Sequence, residues 1–140
     1  LKAQVSKKRP VVGICLGMQL FATVSHEYNQ NTAGLGVVPG EIVPFTDHGF
    51  HVGWNTLECV QHDPILNPDD RQFFYFNHSY AYQGSNEYKV CLARHRDPSR
   101  DPLVAVIRRG NVVGLQFHPE KSQLAGRVLL QNIITGFHHA

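Results

Sequence analysis

Two short stretches of this 140-residue chain hold residue types that could make and break a covalent bond. The first is Gly13-Ile14-Cys15-Leu16-Gly17, preceded by the apolar run Pro10 to Ile14 and followed by Met18-Gln19-Leu20-Phe21-Ala22-Thr23-Val24. Strand, Gly-x-nucleophile-x-Gly, helix is the pattern of a nucleophile elbow, here with a thiol. The two glycines are expected to relieve collisions where a sharp, strained turn meets the neighbouring strand and helix. A sulfur at a helix N-terminus is also expected to favour the thiolate. The second stretch is Gln116-Phe117-His118-Pro119-Glu120. A thiol needs a base within reach and a group that orients the base. Pro119 biases His118 toward extended backbone. Residues two apart in such a backbone share a side, so Glu120 should lie beside His118 and fix its tautomer. Cys15, His118 and Glu120 are therefore the candidate catalytic residues.

The elements that must carry these residues follow from hydrophobic pattern. Pro10 to Ile14 reads as a buried strand, and a helix from about Gly17 should fade near Ser25-His26-Glu27. Asn29 to Gly34 reads as a polar loop. Glu41 to Phe45, Thr56 to Val60 and Glu87 to Arg94 read as strands, as does the aromatic run Phe73 to Tyr82. His62 to Arg71 and Arg96 to Pro102 read as loops. Leu103–Arg108 and Val112–Phe117 flank Gly110-Asn111, a hairpin signal. Ser122 to Phe137 reads as a helix with Leu124, Val128, Leu129, Ile133, Ile134 and Phe137 on one broad face. Helices alternate with strands at both ends around a strand-rich middle, which predicts an α/β sheet with an antiparallel portion. No repeat or linker divides the chain, so residues 1–140 read as one domain.

Composition narrows the function classes. Hydrophobic residues at 42% against 17% charged exclude a disordered chain. A net charge of +2 gives no reason to expect nucleic acid or an anionic membrane as partner. The basic clusters Lys7-Lys8-Arg9 and Arg108-Arg109 read as solvated charge. No apolar run reaches membrane-span length and no signal peptide is visible. The cysteines are three, with no paired spacing, which argues against a disulfide framework and for a reducing compartment; Cys59 and Cys91 read as core. The expected location is the cytoplasm. Nine histidines raise a metal question, but His26, His48, His62 and His95 lack ligand-like spacing and His138-His139 sit at the C-terminus, so no metal is expected. The chain begins Leu1-Lys2-Ala3-Gln4-Val5-Ser6, resembling the last turns of an amphipathic helix, and a preceding segment is expected.

Gly13-Ile14-Cys15-Leu16-Gly17-Met18-Gln19 and Phe117-His118-Pro119-Glu120 resemble the two signatures of the class I (triad-type) glutamine amidotransferases. Gly34-Leu35-Gly36, His51-Val52-Gly53-Trp54-Asn55 and Tyr75-Phe76-Asn77-His78-Ser79-Tyr80 narrow the resemblance to the glutaminase subunits of imidazole glycerol phosphate synthases. The resemblance implies a flavodoxin-like sheet with helices on both faces, truncated at its N-terminus, and no cofactor. It implies that Cys15 attacks the side-chain amide of L-glutamine, that His118 protonates the leaving ammonia, and that Glu120 orients His118. Leu16 would supply one backbone donor of the oxyanion hole, the other coming from an upstream Gly-rich loop. Gln19, His78, Ser79 and Tyr80 match substrate-binding positions. Trp54, Tyr75 and Lys121 match positions at the interface and ammonia gate toward a (β/α)₈-barrel synthase, the implied heterodimer partner in histidine biosynthesis.

The sequence departs from the family at Phe50 and Val52, where Pro and Met are usual, and at Asn77, where a small apolar residue is common. Two other readings stay open, the first because of these departures. One is an amidotransferase subunit for bacterial surface sugars. The other is a non-catalytic fragment or binding subunit, since the second oxyanion donor is expected outside these residues. A γ-glutamyl hydrolase on the same fold fits the Gly-Trp-Asn and His-Ser-Tyr blocks less well.

Overall fold

The computed structural model describes residues 1–45, 49–69, 71–94 and 98–138. In chain order the elements are α1 (Lys2–Ser6), β1 (Val11–Ile14), α2 (Leu16–Gln19), β2 (Val24–Ser25), β3 (Thr32–Ala33), β4 (Glu41–Pro44), β5 (His51–Cys59), β6 (Phe73–His78), β7 (Tyr80–Gln83), β8 (Lys89–Ala93), β9 (Leu103–Arg109), β10 (Val112–Leu115) and α3 (Gln123–His138). Short 3₁₀ turns cover Glu27–Asn29, Asn86–Tyr88 and Pro119–Lys121. His48, His95 and His139 lie outside the described residues, as does part of the loop from Arg96.

Six strands form a sheet in the order β1-β10-β9-β8-β5-β6, and four form a second sheet, β3-β2-β4-β7. In the larger sheet β1 and β10 pair in parallel, Val11↔Val112 through Ile14↔Leu115, and its other pairs are antiparallel. The expected hairpin is present: Val112 faces Arg109, and Gly110 turns the chain at φ 58, a conformation that costs glycine little. The sheet curls until its far strand meets the tail of β10, where His118 N donates to the Tyr75 carbonyl at 2.8 Å. One core cluster, including Phe74, Phe76, Leu115, Phe117, Leu129 and Ile133, lies beneath α3. A second, including Met18, Phe21, Ile42, Tyr82 and Ile107, lies beneath the elbow and between the sheets.

Several expectations need correction. The helix after Cys15 ends at Gln19 and does not run to Ser25. The carbonyls of residues 20–23 are taken by another segment: Leu35 N donates to Leu20 O, Val38 N to Phe21 O, Gly36 N to Ala22 O and Gly34 N to Thr23 O, at 2.9–3.0 Å. Val24 then enters the smaller sheet opposite Ala33 and Glu41, so tertiary pairing overrides local helix preference. Thr32–Ala33, read as loop, is that sheet's edge strand. The aromatic run is two strands in different sheets, bent at Ser79.

On α3 the buried residues are Gly126, Leu129 and Ile133, while Leu124 (62% exposed) and Ile134 (58%) face outward. Close approach sets this rotation: a Cβ on Gly126 would stand 1.9 Å from the Pro119 carbonyl oxygen. Arg108 is not solvated but bonds both carboxylate oxygens of Asp63, at 2.5 and 2.6 Å, with its guanidinium over the Phe137 ring. Cys91 is buried, whereas Cys59, expected in the core, is exposed.

Candidate active site

The parallel seam between β1 and β10 explains why two motifs about a hundred residues apart arrive at one place. Strands running the same way end on the same side of the sheet, and ligands of open α/β sheets bind outside those carboxyl ends. Cys15 follows β1 directly and extends the ladder by one rung, its N–H donating to the Leu115 carbonyl at 2.7 Å. Three residues beyond Leu115 the other strand reaches His118. The C-terminal end of β6 joins them, the Asn77 carbonyl lying 3.8 Å from Cys15 Sγ.

Cys15 is strained, with φ 51 and ψ −106, the backbone expected of an elbow. The two glycines of the motif are not equivalent. A Cβ on Gly13 would stand 2.6 Å from the Gly17 backbone and 2.6 Å from the Phe21 ring; a Cβ on Gly17 would meet nothing within 4 Å. Only Gly13 answers the expected steric need. The thiol is not poised as a thiolate either. Burial pushes the Cys15 thiol above its usual value, and the negative charge of Glu120 adds to this. The Leu16 backbone N–H and the Gln116 amide pull the other way but do not outweigh burial. A four-residue helix has little macrodipole to oppose desolvation.

His118 is mostly buried, and its Nδ1 lies 2.7 Å from the Glu120 carboxylate. The carboxylate can only accept there, so Nδ1 carries the proton and Nε2 presents its lone pair. The pairing arises differently from the expectation of alternating sides. His118 is extended at φ −100 and ψ 93, but Pro119–Lys121 wraps into a 3₁₀ turn that swings Glu120 back under the ring. Ser122 holds this turn, donating to the His118 carbonyl at 2.6 Å and accepting from Tyr75 N–H at 2.9 Å. Partial burial raises the Glu120 carboxyl. The hydrogen bond from His118, its own backbone N–H and the positive charge of Lys121 are among the effects that outweigh that, leaving it below the ordinary carboxylate value.

The other predicted residues fall into two groups. Gln19 joins the elbow to the base strand: its amide N–H donates to Tyr80 O at 3.2 Å and to Gln116 Oε1 at 3.3 Å. Leu16 begins α2 with its side chain exposed and its N–H at the sulfur. Ser79 is exposed at the bend between β6 and β7, and the Tyr80 hydroxyl accepts from Tyr28 N–H at 3.3 Å. His78 points inward. Its Nδ1 donates to the Tyr80 carbonyl at 2.7 Å, and its Nε2, 2.9 Å from His51 Nδ1, must then accept. Burial drives its pKa down to about 4, so it is a neutral brace under the site. Trp54, Tyr75 and Lys121 form a contiguous patch beside His118. The Trp54 and Tyr75 rings meet at 5.6 Å, and Lys121 Nζ lies 5.9 Å from the Tyr75 centroid.

Residues not singled out for roles also converge here. Gln116 is fully buried and directs its amide N–H to Cys15 Sγ at 3.8 Å. His51 Nε2 lies 2.7 Å from Asn55 Oδ1, and Asn55 in turn donates to the Arg94 carbonyl at 2.8 Å. Gln116 was findable from its place two residues before His118 on the same strand. The His51–His78 contact depends on the β5–β6 register, which places these residues opposite each other. A concavity of about 540 Å³ lies along α3 and shares Pro119 and Glu120 with the site, but Cys15 does not line it. Among the described residues no cluster of His, Cys, Asp or Glu could hold a metal ion.

A strained elbow cysteine, a His–Glu pair at the end of the adjacent parallel strand and a glutamine between them define a class of protein. The family model described as "Glutamine amidotransferase class-I" matches residues 1–135, and the chain belongs to that family. Among curated relatives it is similar to the imidazole glycerol phosphate synthase subunit HisH of Carboxydothermus hydrogenoformans, 41% identical over 137 residues that cover 95% of this chain and 66% of the relative. It is likewise similar to the subunit of that name from Ruegeria pomeroyi, at 40% identity over 96% of this chain and 65% of the relative. The chain thus spans slightly under two thirds of the length of these relatives. Its fold is similar to that of a chain in the structure of PurLQS from Thermotoga maritima, with a TM-score of 0.71 at 18% identity over 96% of this chain and 65% of that one. A glutamine amidotransferase from the same organism gives a TM-score of 0.60 at 20% identity, over 98% of this chain and 60% of that one.

Proposed function

We propose that residues 1–140 act as one amidotransferase unit that releases ammonia from L-glutamine and delivers it to a synthase partner. The observation that carries this reading is the convergence of Cys15 with the His118–Glu120 pair at the carboxyl ends of two parallel strands. The resting thiol faces the Asn77 carbonyl, and its raised pKa keeps the proton on sulfur. Attack on the glutamine side-chain carbonyl therefore calls for general-base help, with His118 Nε2 taking the thiol proton. The Leu16 N–H supports the oxygen as it gains charge. His118 then passes its proton to the departing ammonia and later activates the water that cleaves the glutamyl thioester, releasing glutamate. Glu120 holds the imidazole in one tautomer throughout. Gln116 and Gln19 keep the sulfur and the β7 backbone in register, and Ser79 and Tyr80 face the incoming glutamine.

Two features support a barrel-type synthase as partner and histidine biosynthesis as the setting. The relatives near 40% identity are named as subunits of imidazole glycerol phosphate synthase. The exposed patch of Trp54, Tyr75 and Lys121 adjoins the base, where an ammonia exit toward a second subunit would lie. The cytoplasm is the setting that goes with this biosynthetic reading; no helix among the described residues is long and apolar enough to cross a membrane. The test is glutamine hydrolysis by the protein with its flanking sequence and a barrel synthase. Activity lost on Cys15→Ala with the circular-dichroism spectrum unchanged supports the reading; unchanged turnover overturns it.

A further inference from the structure

The other two cysteines face each other across a strand pair. Cys59 ends β5 and stands opposite Cys91 of β8, in the register Leu57↔Ala93, Glu58↔Leu92, Cys59↔Cys91. The next rung, Val60 N–H to Val90 O at 2.8 Å, is hydrogen-bonded, so the cysteine rung is a non-hydrogen-bonded one. In antiparallel sheets that rung brings the Cα atoms to ~4.5 Å and the side chains closest, within the range a disulfide spans. The two sulfurs lie 2.6 Å apart, well inside van der Waals contact. β8 is irregular at this point, its register against β9 shifting on either side of Cys91, which gives the rung room to adjust. Access is one-sided, since Cys59 is exposed and Cys91 is fully buried.

We propose that Cys59 and Cys91 form a reversible thiol–disulfide site that exchanges with small soluble disulfides of the glutathione type. The exposed Cys59 thiolate attacks one sulfur of the small disulfide, forming a mixed disulfide on Cys59 and expelling one small thiolate. Cys91 then loses its proton to that thiolate and attacks Cys59 Sγ. The bond to the second small thiol breaks, and it leaves as thiolate and takes a proton from solvent. Two protein thiols are oxidised and one small disulfide is reduced to two thiols. The division of labour agrees with the local electrostatics. The Cys91 S–H bond to Cys59 lowers the Cys59 pKa despite some burial. The same interaction and burial raise that of Cys91, which therefore stays protonated until its partner is modified. Closing the bond ties β5 to β8 and encloses the segment that carries Tyr75, His78, Ser79 and Tyr80, leaving Cys15 outside the loop.

The experiment equilibrates the protein with excess oxidised glutathione, quenches it in acid, alkylates under denaturing conditions and maps thiols by peptide mass spectrometry. The expected product is a Cys59–Cys91 linked peptide lacking two hydrogens, reversed by dithiothreitol. Cys91→Ser should halt the reaction at glutathionylated Cys59, and Cys59→Ser should leave Cys91 alkylatable. Full alkylation of both residues in the treated wild-type protein overturns the proposal, as does wild-type protein that stops at the mixed disulfide. The wild-type map decides the matter even if a variant fails to fold.

Discussion

The elbow at Cys15 and the rung at Cys59–Cys91 place the same side chain in opposite settings. Cys15 sits on a strained turn, where burial holds the proton on sulfur and the base arrives from a distant strand. Cys59 ends a β-strand, exposed, with a second thiol touching it and lowering its pKa. The cysteine more readily ionised is therefore not the one that geometry equips for acyl transfer. On the two proposals, nucleophilicity at the elbow would depend on a general base supplied at the moment of attack, and at the rung on a neighbouring S–H.

The two thiols are told apart most directly by removing each in turn. Cys15→Ala should lower glutamine hydrolysis by at least about 10³-fold, whereas Cys59→Ser should leave it at the wild-type rate; equal losses would erase the distinction. Next in size is the pH dependence of the neutral brace under the elbow. His78 titrates near 6.5 when unfolded and at about 4 when folded. Its stabilisation is fully present above pH 6.5 and fades as the pH falls through 4, because only the unfolded chain gains the proton across that window. The total is on the order of 3 kcal/mol, read as a falling urea midpoint, and His78→Asn should flatten the curve. A wild-type midpoint that stays level over this range would contradict the assignment.

Glu120→Gln should reduce the rate by roughly 10²-fold while the thiol pattern at Cys59 and Cys91 stays the same, since the amide cannot enforce the productive His118 tautomer. The smallest effects concern the elbow's own glycines. Gly13→Ala should destabilise the fold by about 1–3 kcal/mol through its clash with Gly17 and Phe21. Gly17→Ala should stay within about 0.5 kcal/mol, since its Cβ meets open space. Equal losses in thermal melts would mean that the turn, rather than the contact, sets the requirement.

The site was legible where chemistry is written in adjacent residues. Cys15, His118 and Glu120 stand in local patterns whose spacing speaks directly to backbone shape. What escaped was set by pairing between distant strands. Nothing near Leu20 announces that residues 34–38 will take the carbonyls of residues 20–23, so an apolar run read as helix becomes a turn. His78 carries no local mark of its contact with His51, because the β5–β6 register creates it. The cysteine rung is hidden for the same reason, with 32 positions separating two residues that touch. On α3 the apolar stripe was wider than the surface offered to it, and the contact of Gly126 with Pro119 decided which part turned inward.

The parallel seam between β1 and β10 also has a temporal consequence. Val11 and Val112 pair across about a hundred residues, so this is among the least local contacts in the chain. Non-local pairings form late because loop closure must come first, and a chain made from its N-terminus exposes Cys15 long before β10 exists. A nascent chain would thus carry a thiol with no base beside it until β10 and the residues just after it have emerged. Catalytic competence and completion of the core beneath α3 would then arrive in the same folding step.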